Sequence, residues 1–332
     1  MMFFTQKGKC FWMRVYEIPE GSKTAKGRAI QNLVNIESDD KVKAFICTQD
    51  LKDQDYIKSH NLVMVTKQGQ VKKTSLEKYS KPRVNGVAAI TIKEGDELLE
   101  AKLTNGESQI ILAVKSGKLV RFEETKTRPM GRTASGVRGI SLKDETDEVI
   151  GMVTVDKDDI NDTQILVVTE NGYGKRTKLV DEDGEDVYRI TNRGGKGVKT
   201  LNITEKTGKL ISISNVTDAD DLMIINKSGL TIRMAVEDLR VMGRATQGVK
   251  LINLKGNDSI AAVTKVMKDD VAEVVVDEDG NVIETEAIER VKPVLEVLED
   301  DGVEDDDDSD EEDEIEDDED SEEAGDEDDS DE

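Results

Sequence analysis

Apolar and polar positions in this chain alternate in short runs, without the three-and-four spacing of an amphipathic helix, so the pattern predicts strands. Each run meets a glycine turn and a second strand follows. The unit returns five times: "MMFFTQKGKCFWMRV" from Met1, "NLVMVTKQGQVKKT" from Asn61, "IILAVKSGKLVRF" from Ile110, "ILVVTENGYGKRT" from Ile165 and "LMIINKSGLTIRM" from Leu222. The turn glycines are Gly8, Gly69, Gly117, Gly172 and Gly229. Glycine supplies the positive φ of a tight hairpin, and the Val, Ile and Thr around it suit a pleated strand.

A second glycine follows each hairpin, at Gly27, Gly86, Gly136, Gly197 and Gly248, after 19, 17, 19, 25 and 19 residues. Around it stand "KTAKGRAI", "RVNGVAAI", "TASGVRGI", "RGGKGVKT" and "ATQGVKLI", each leading into another apolar strand and then an acidic turn. The fourth copy is longer because "VDEDGEDVY" is inserted at Val180–Tyr188. A repeat of 48 to 61 residues built from about four short strands indicates an all-β radial or solenoid array of small antiparallel sheets. The signature dipeptides of WD40 and kelch blades are missing, and Trp12 is the only tryptophan. The repeats span about 1–60, 61–108, 109–163, 164–220 and 221–266, one domain over 1–266. From 267 to 332 the chain reads as an acidic, largely disordered tail with little to bury.

Charge divides the molecule the same way. The formal net charge is −27, yet 43 basic residues face 37 acidic ones up to Val266, and the tail holds 36 acidic against Lys268, Arg290 and Lys292. A mildly basic body carrying a strongly acidic tail points to a polyanionic partner and a segment able to imitate one. Cys10 and Cys47 form no CxxC pair, which argues against a disulfide framework or a zinc site and favours the cytoplasm. The opening residues are broken by Lys7, Lys9 and Arg14, so they are no signal peptide, and no apolar run has membrane-spanning length. The chain opens inside what reads as a strand, as a fragment would.

Catalytic motifs are weak throughout. "ENGYGKRT" has Thr169 where a P-loop has its first glycine and Arg176 where it has Ser or Thr. "DEDGED" from Asp181 and "DEDGN" from Asp277 lack the ligand spacing of calcium loops. His60 is the only histidine, which removes most triads and metal sites. No metal and no cofactor of this chain's own is expected.

The basic loops carry the chemistry instead. In "TNRGGKGVKT" the glycines let the backbone approach a phosphate, while Arg193, Lys196 and Lys199 supply charge. Repeated around an array, such loops make a track: Lys26 and Arg28, Lys81 and Arg83, Arg132 and Arg138, Arg193 and Lys196, Arg244 and Lys250. The strand cations Lys72, Lys73, Arg121, Lys175, Arg176 and Arg233 join the candidate set. Double-stranded DNA, bent and held by its phosphates without base readout, is the expected partner.

With those residues in hand, 1–266 closely resembles the C-terminal domain family of DNA gyrase A. "MRVYEIPEGSKTAKGRAIQNLVNI", "GQVKKTSL", "RPMGRTASGVRGI", "ENGYGKRT" and "VMGRATQGVKLI" are similar to that family's blade sequences. The resemblance implies a β-pinwheel of about five four-stranded antiparallel blades that exchange strands, with DNA wrapped on the outer edge. It further implies work beside the N-terminal part of gyrase A and beside gyrase B in an A2B2 holoenzyme that introduces negative supercoils. ATP and Mg2+ would be used elsewhere in that assembly, as would the cleavage tyrosine. The family's glycine-rich box normally sits in the first of six blades. "NRGGKG" is similar to that box in a later blade, so its role carries over to Arg193, Gly194, Gly195, Lys196 and Gly197. The related domain of topoisomerase IV and a propeller-like protein scaffold are the alternatives.

Overall fold

The computed structural model describes residues 1–22, 25–256, 258–267, 274–276 and 282–284. The first repeat supplies β1 (Met2–Thr5), β2 (Lys9–Trp12) and β3 (Val42–Ile46). A short helix, α1 (Gln54–Ser59), starts at Asp53, whose carboxylate accepts from the N–H groups of Asp55 and Tyr56. The second repeat adds β4 (Asn61–Thr66), β5 (Gln70–Ser75), β6 (Val87–Ala88) and β7 (Leu98–Thr104); the third adds β8 (Gln109–Val114), β9 (Lys118–Glu123), β10 (Val137–Arg138) and β11 (Val149–Val155). Next come β12 (Gln164–Thr169), β13 (Tyr173–Lys178), β14 (Val198–Lys199) and β15 (Leu210–Val216), then β16 (Asp220–Asn226), β17 (Thr231–Ala235), β18 (Val249–Lys250) and β19 (Ile260–Met267). Beyond the fifth repeat, β20 (Val274–Val276) and β21 (Val282–Glu284) pair antiparallel. The rest of the expected disordered tail lies outside the described residues.

The blades do not coincide with the repeats. The sheets run β3-β1-β2-β6, β10-β5-β4-β7, β11-β8-β9-β14, β15-β12-β13-β18 and β17-β16-β19. Each of the first four blades thus takes three strands from its own repeat and a two-residue strand from the next, in an all-β pinwheel of five antiparallel blades in a ring. The fifth blade differs from the four-stranded expectation: it has three strands among the described residues, with no strand on the free edge of β17. The third strands of successive blades (β3, β7, β11, β15 and β19) lie beside one another. That puts them on the inside and the exchanged strands on the outer perimeter.

Period-two alternation explains the cores. In β8 and β12 every residue is buried, because alternate side chains face the blades on either side. Met2, Phe4, Leu62 and Met64 pack between the first two blades. Val63, Val65, Ile110 and Leu112 fill the next gap, then Ile111, Val153, Ile165 and Val167, then Leu166, Val168, Leu222 and Ile224. Truncating one such residue to Ala costs about 2–5 kcal/mol, since stacked sheets leave a cavity little room to collapse.

Candidate nucleic-acid interface

From the second repeat onward, the second glycine is what lays the exchanged strand on the preceding blade. Gly197 has φ +73°, and a Cβ there would come within 2.5 Å of the Leu119 carbonyl oxygen on β9. At Gly86, Gly136 and Gly248 the same added atom would meet Phe11 Cε1, Val71 O and Gly174 O at 2.7 Å in each case. Only a residue without Cβ fits, so the glycines fix where each crossing loop leaves one repeat and joins the preceding blade.

The crossing loops are also tied to one another. Asn35 Nδ2 donates to Asn85 Oδ1 at 3.1 Å, Thr91 N to Ala134 O at 3.2 Å, Ser141 N to Gly195 O at 2.9 Å and Asn202 N to Thr246 O at 3.2 Å. Each repeat therefore grips the loop of the next, making a connected belt around the perimeter. On it Arg83, Arg138 and Lys196 are exposed, and Arg132, Arg193, Lys199, Arg244 and Lys250 are half-buried. Lys26 and Arg28 are exposed in the corresponding segment of the first repeat, whose Gly27 touches no blade.

The "NRGGKG" loop is the most firmly docked. Gly194, at φ +84°, donates its N–H to Gly139 O at 2.7 Å, and its carbonyl accepts from Ser141 Oγ at 2.7 Å. Arg193 lies inward: its Nε donates to Lys126 O at 3.2 Å and a terminal nitrogen to Arg138 O at 3.3 Å. The loop thereby brings cations of the third and fourth repeats together. Lys118 belongs to this group, because it stands opposite Lys199 on paired strands. Its place among polar residues after a turn glycine gives no local signal; only the exchange of strands reveals it.

Five strand cations are not rim contacts, and the physical reason is burial. Lys72, Lys73, Arg121, Lys175 and Arg176 lie in the interior with their head groups committed to protein oxygens. Lys72 Nζ donates to Ala89 O at 2.7 Å and to Arg132 O. Lys175 Nζ donates to Gly243 O at 2.6 Å, Arg244 O at 2.7 Å and Thr246 O at 3.1 Å. These two lysines hold crossing loops. The other three hold the turns that follow the next blade's hairpin. Lys73 Nζ donates to Glu124 O at 3.0 Å; Arg121 donates to Tyr188 O at 2.8 Å and pairs with Asp186 at 2.7 Å; Arg176 donates to Leu239 O and pairs with Asp218. Arg233 is half-buried and bonded to Asp221 at 2.7 Å. Burial, with Arg132 nearby, pushes the Lys72 ammonium down to about 7, and burial with Arg244 does the same to Lys175.

The weaker motifs have structural occupations. Gly172 is the hairpin turn at φ +83°, so "ENGYGKRT" spends its Lys and Arg inside the ring. Asp181 Oδ1 accepts from the N–H groups of Asp183 and Glu185, closing the inserted turn on itself. His60 stacks on Tyr56 with ring centroids 4.4 Å apart, at the end of α1. Among the described residues no cluster of three or more His, Cys, Asp or Glu side chains could hold a metal ion, and no helix is long and apolar enough to cross a membrane.

Comparison with known proteins agrees with this architecture. The family described as "DNA gyrase C-terminal domain, beta-propeller" matches residues 1–49, 60–105, 109–156, 163–217 and 220–267. DNA gyrase A of Staphylococcus epidermidis is 42% identical over 271 residues, covering 81% of this chain and 29% of that protein. DNA gyrase A of Staphylococcus aureus strain MRSA252 is 40% identical over 293 residues, covering 87% and 32%. The chain therefore spans about a third of the length of these relatives. Among solved structures, the C-terminal domain of DNA topoisomerase IV aligns with a TM-score of 0.69 at 25% identity, covering 80% of this chain and 78% of that one. A DNA gyrase A C-terminal domain aligns at 0.65 and 22%, covering 80% and 82%. Five matched segments, a five-bladed sheet array and relatives of one kind lead to a single placement: the chain belongs to the DNA gyrase C-terminal domain family.

Proposed function

We propose that this chain binds double-stranded DNA without sequence preference and wraps it along the outer belt, as the C-terminal part of a gyrase A protein. There it would work with the N-terminal part of gyrase A and with gyrase B in an A2B2 assembly of the bacterial cytoplasm, supporting ATP-dependent negative supercoiling. ATP and Mg2+ would act in those other parts, and cleavage would belong to them also. The observation that carries the reading is the belt: crossing loops, joined in series, with Arg83, Arg138 and Lys196 exposed along them. Glycine backbones allow close approach of phosphates, and the cations release counterions on contact.

With about 6–10 phosphate contacts, affinity should fall on the order of 10³–10⁵-fold between 50 and 200 mM salt. Gel shifts with linear duplex across that range test it. Salt-independent binding, or none at low salt, would reject DNA as the ligand and favour a protein scaffold. Closing nicked circles on the bound chain then reads wrapping as a change in linking number. The acidic segment 267–332 would compete for the same cations from a tether, so removing 300–332 should tighten binding most at low salt. Topoisomerase IV is the second reading, favoured by the 0.69 alignment. Identity of about 40% with gyrase A proteins supports gyrase.

A further inference from the structure

The exchanged strands place one residue of each crossing opposite one residue of the preceding blade. At successive junctions these pairs are Lys9 with Ala88, Gln70 with Arg138, Lys118 with Lys199 and Tyr173 with Lys250. Only the third pair is doubly cationic. Directly opposed residues of an antiparallel pair project to the same side with Cβ atoms about 4.5–5.5 Å apart, and like charges there are destabilising. Both lysines are half-buried, and no carboxylate among the described residues pairs with either. Two like charges set opposite each other on the perimeter, with no carboxylate partner among the described residues, suit an anion shared between them. Gly197 sharpens the geometry, because its backbone lies on Leu119 and sets Lys196 just ahead of Lys199. Arg138 is held at the same junction through Arg193.

We infer that Lys118 and Lys199 bracket a backbone phosphate and make the junction of the third and fourth repeats the principal anchor of bound DNA. The inference rests on the DNA-binding reading and adds to it an unequal belt, with one strong contact and weaker ones to either side. Lys118 is a binding residue outside the glycine box and outside its repeat.

The experiment measures binding of a linear duplex by the full chain across a salt series. The variants are Lys118→Gln, Lys199→Gln, Lys118→Arg and, as a control, Lys157→Gln, an exposed residue outside the crossing loops. Each Gln substitution at the pair should lower the slope of log K against log salt by about 0.9 and weaken binding about five- to tenfold at 0.1 M salt. Lys118→Arg should keep the slope, and Lys157→Gln should leave it unchanged. Without DNA and at low salt, Lys118→Gln should melt no lower than the parent protein, since it removes a repulsion. A steep parent slope that Lys118→Gln leaves intact would overturn the anchor alone. A lowered melting point with unchanged slope would make Lys118 structural and overturn it too. A parent protein whose binding ignores salt would instead sink the wider reading.

Discussion

Gly27 and Gly197 occupy the same place in two repeats and share nearly the same backbone, at φ +72° and +73°, but only one has a blade beneath it. An added Cβ at Gly27 meets nothing within 4 Å, whereas at Gly197 it would lie 2.5 Å from Leu119 O and 2.8 Å from Leu119 C. Substitution by Ala therefore separates two costs. The left-handed backbone alone costs roughly 1–2 kcal/mol for a residue with Cβ. At Gly197 the overlap is with backbone on β9, which cannot swing aside, so β14 must lift. That loses the pairing of Val198 and Lys199 with Leu119 and Lys118, at about 0.5–1.5 kcal/mol per hydrogen bond. Gly197→Ala should thus destabilise by about 3–4 kcal/mol, and Gly27→Ala by no more than about 2 kcal/mol. Urea unfolding followed by circular dichroism measures the difference. Equal midpoints would refute the claim that close approach, not backbone conformation, selects these glycines. Gly197→Ala should also weaken DNA binding, because it displaces Lys196 and Lys199 together; Gly27→Ala should leave those two in place.

Three further outcomes follow from the buried cations and the tail. Arg121→Ala should cost about 2–4 kcal/mol in urea, since it strands Gln109, the Tyr188 carbonyl and Asp186, while the salt slope of DNA binding stays as it was. Lys72 and Lys175 have folded values pushed down to about 7 from 10.5, so the unfolded chain binds more protons between those limits. Stability should accordingly rise with pH from about 7 to about 10, and Lys175→Met should flatten part of that rise in urea midpoints. Removing 300–332 should raise DNA affinity at 50 mM salt more than at 200 mM; equal gains would rule out tethered competition.

The hairpins are legible in the chain because turn chemistry and period-two alternation are local. Gly8, Gly69, Gly117, Gly172 and Gly229 all take φ between +81° and +88°. The strand exchange is not legible in this way. Strands of two residues such as β6 and β10 carry too little pattern to be read, and their partners lie far away in the chain. Once the exchange is hidden, so is the meaning of the strand cations. Charge ordinarily marks exposure, which places Lys72, Lys73, Lys175 and Arg176 on the rim. Yet adjacent strand residues point to opposite faces, and both faces of these blades are covered, so at each pair both cations are buried. Lys26, Arg28, Arg83 and Lys196 escape this because they lie outside the sheets, and Arg138 because it sits on the exchanged edge strand β10. The free edge of β17 has the same origin: the exchanged strand always comes from the following repeat, and the fifth has none described.

The buried and exposed cations are two halves of one arrangement. A crossing loop on the perimeter has carbonyl oxygens as well as cations, and oxygens left facing outward would repel an anion. Lys175 draws the carbonyls of Gly243, Arg244 and Thr246 inward at 2.6, 2.7 and 3.1 Å, and Lys72 does the same for Arg132. Arg193 plays the part at the glycine box by taking the carbonyls of Lys126 and Arg138. An ammonium buried for this purpose gives up solvation, which the lowered values near 7 express directly. Its return is a loop held in one orientation before any ligand arrives, so that little ordering entropy remains to oppose binding. Charge in this protein is therefore sorted by the backbone. Lys72, Lys73, Arg121, Lys175 and Arg176, in the interior of second hairpin strands, orient neighbouring segments, whereas Arg83, Arg138 and Lys196, near the crossing glycines, are exposed.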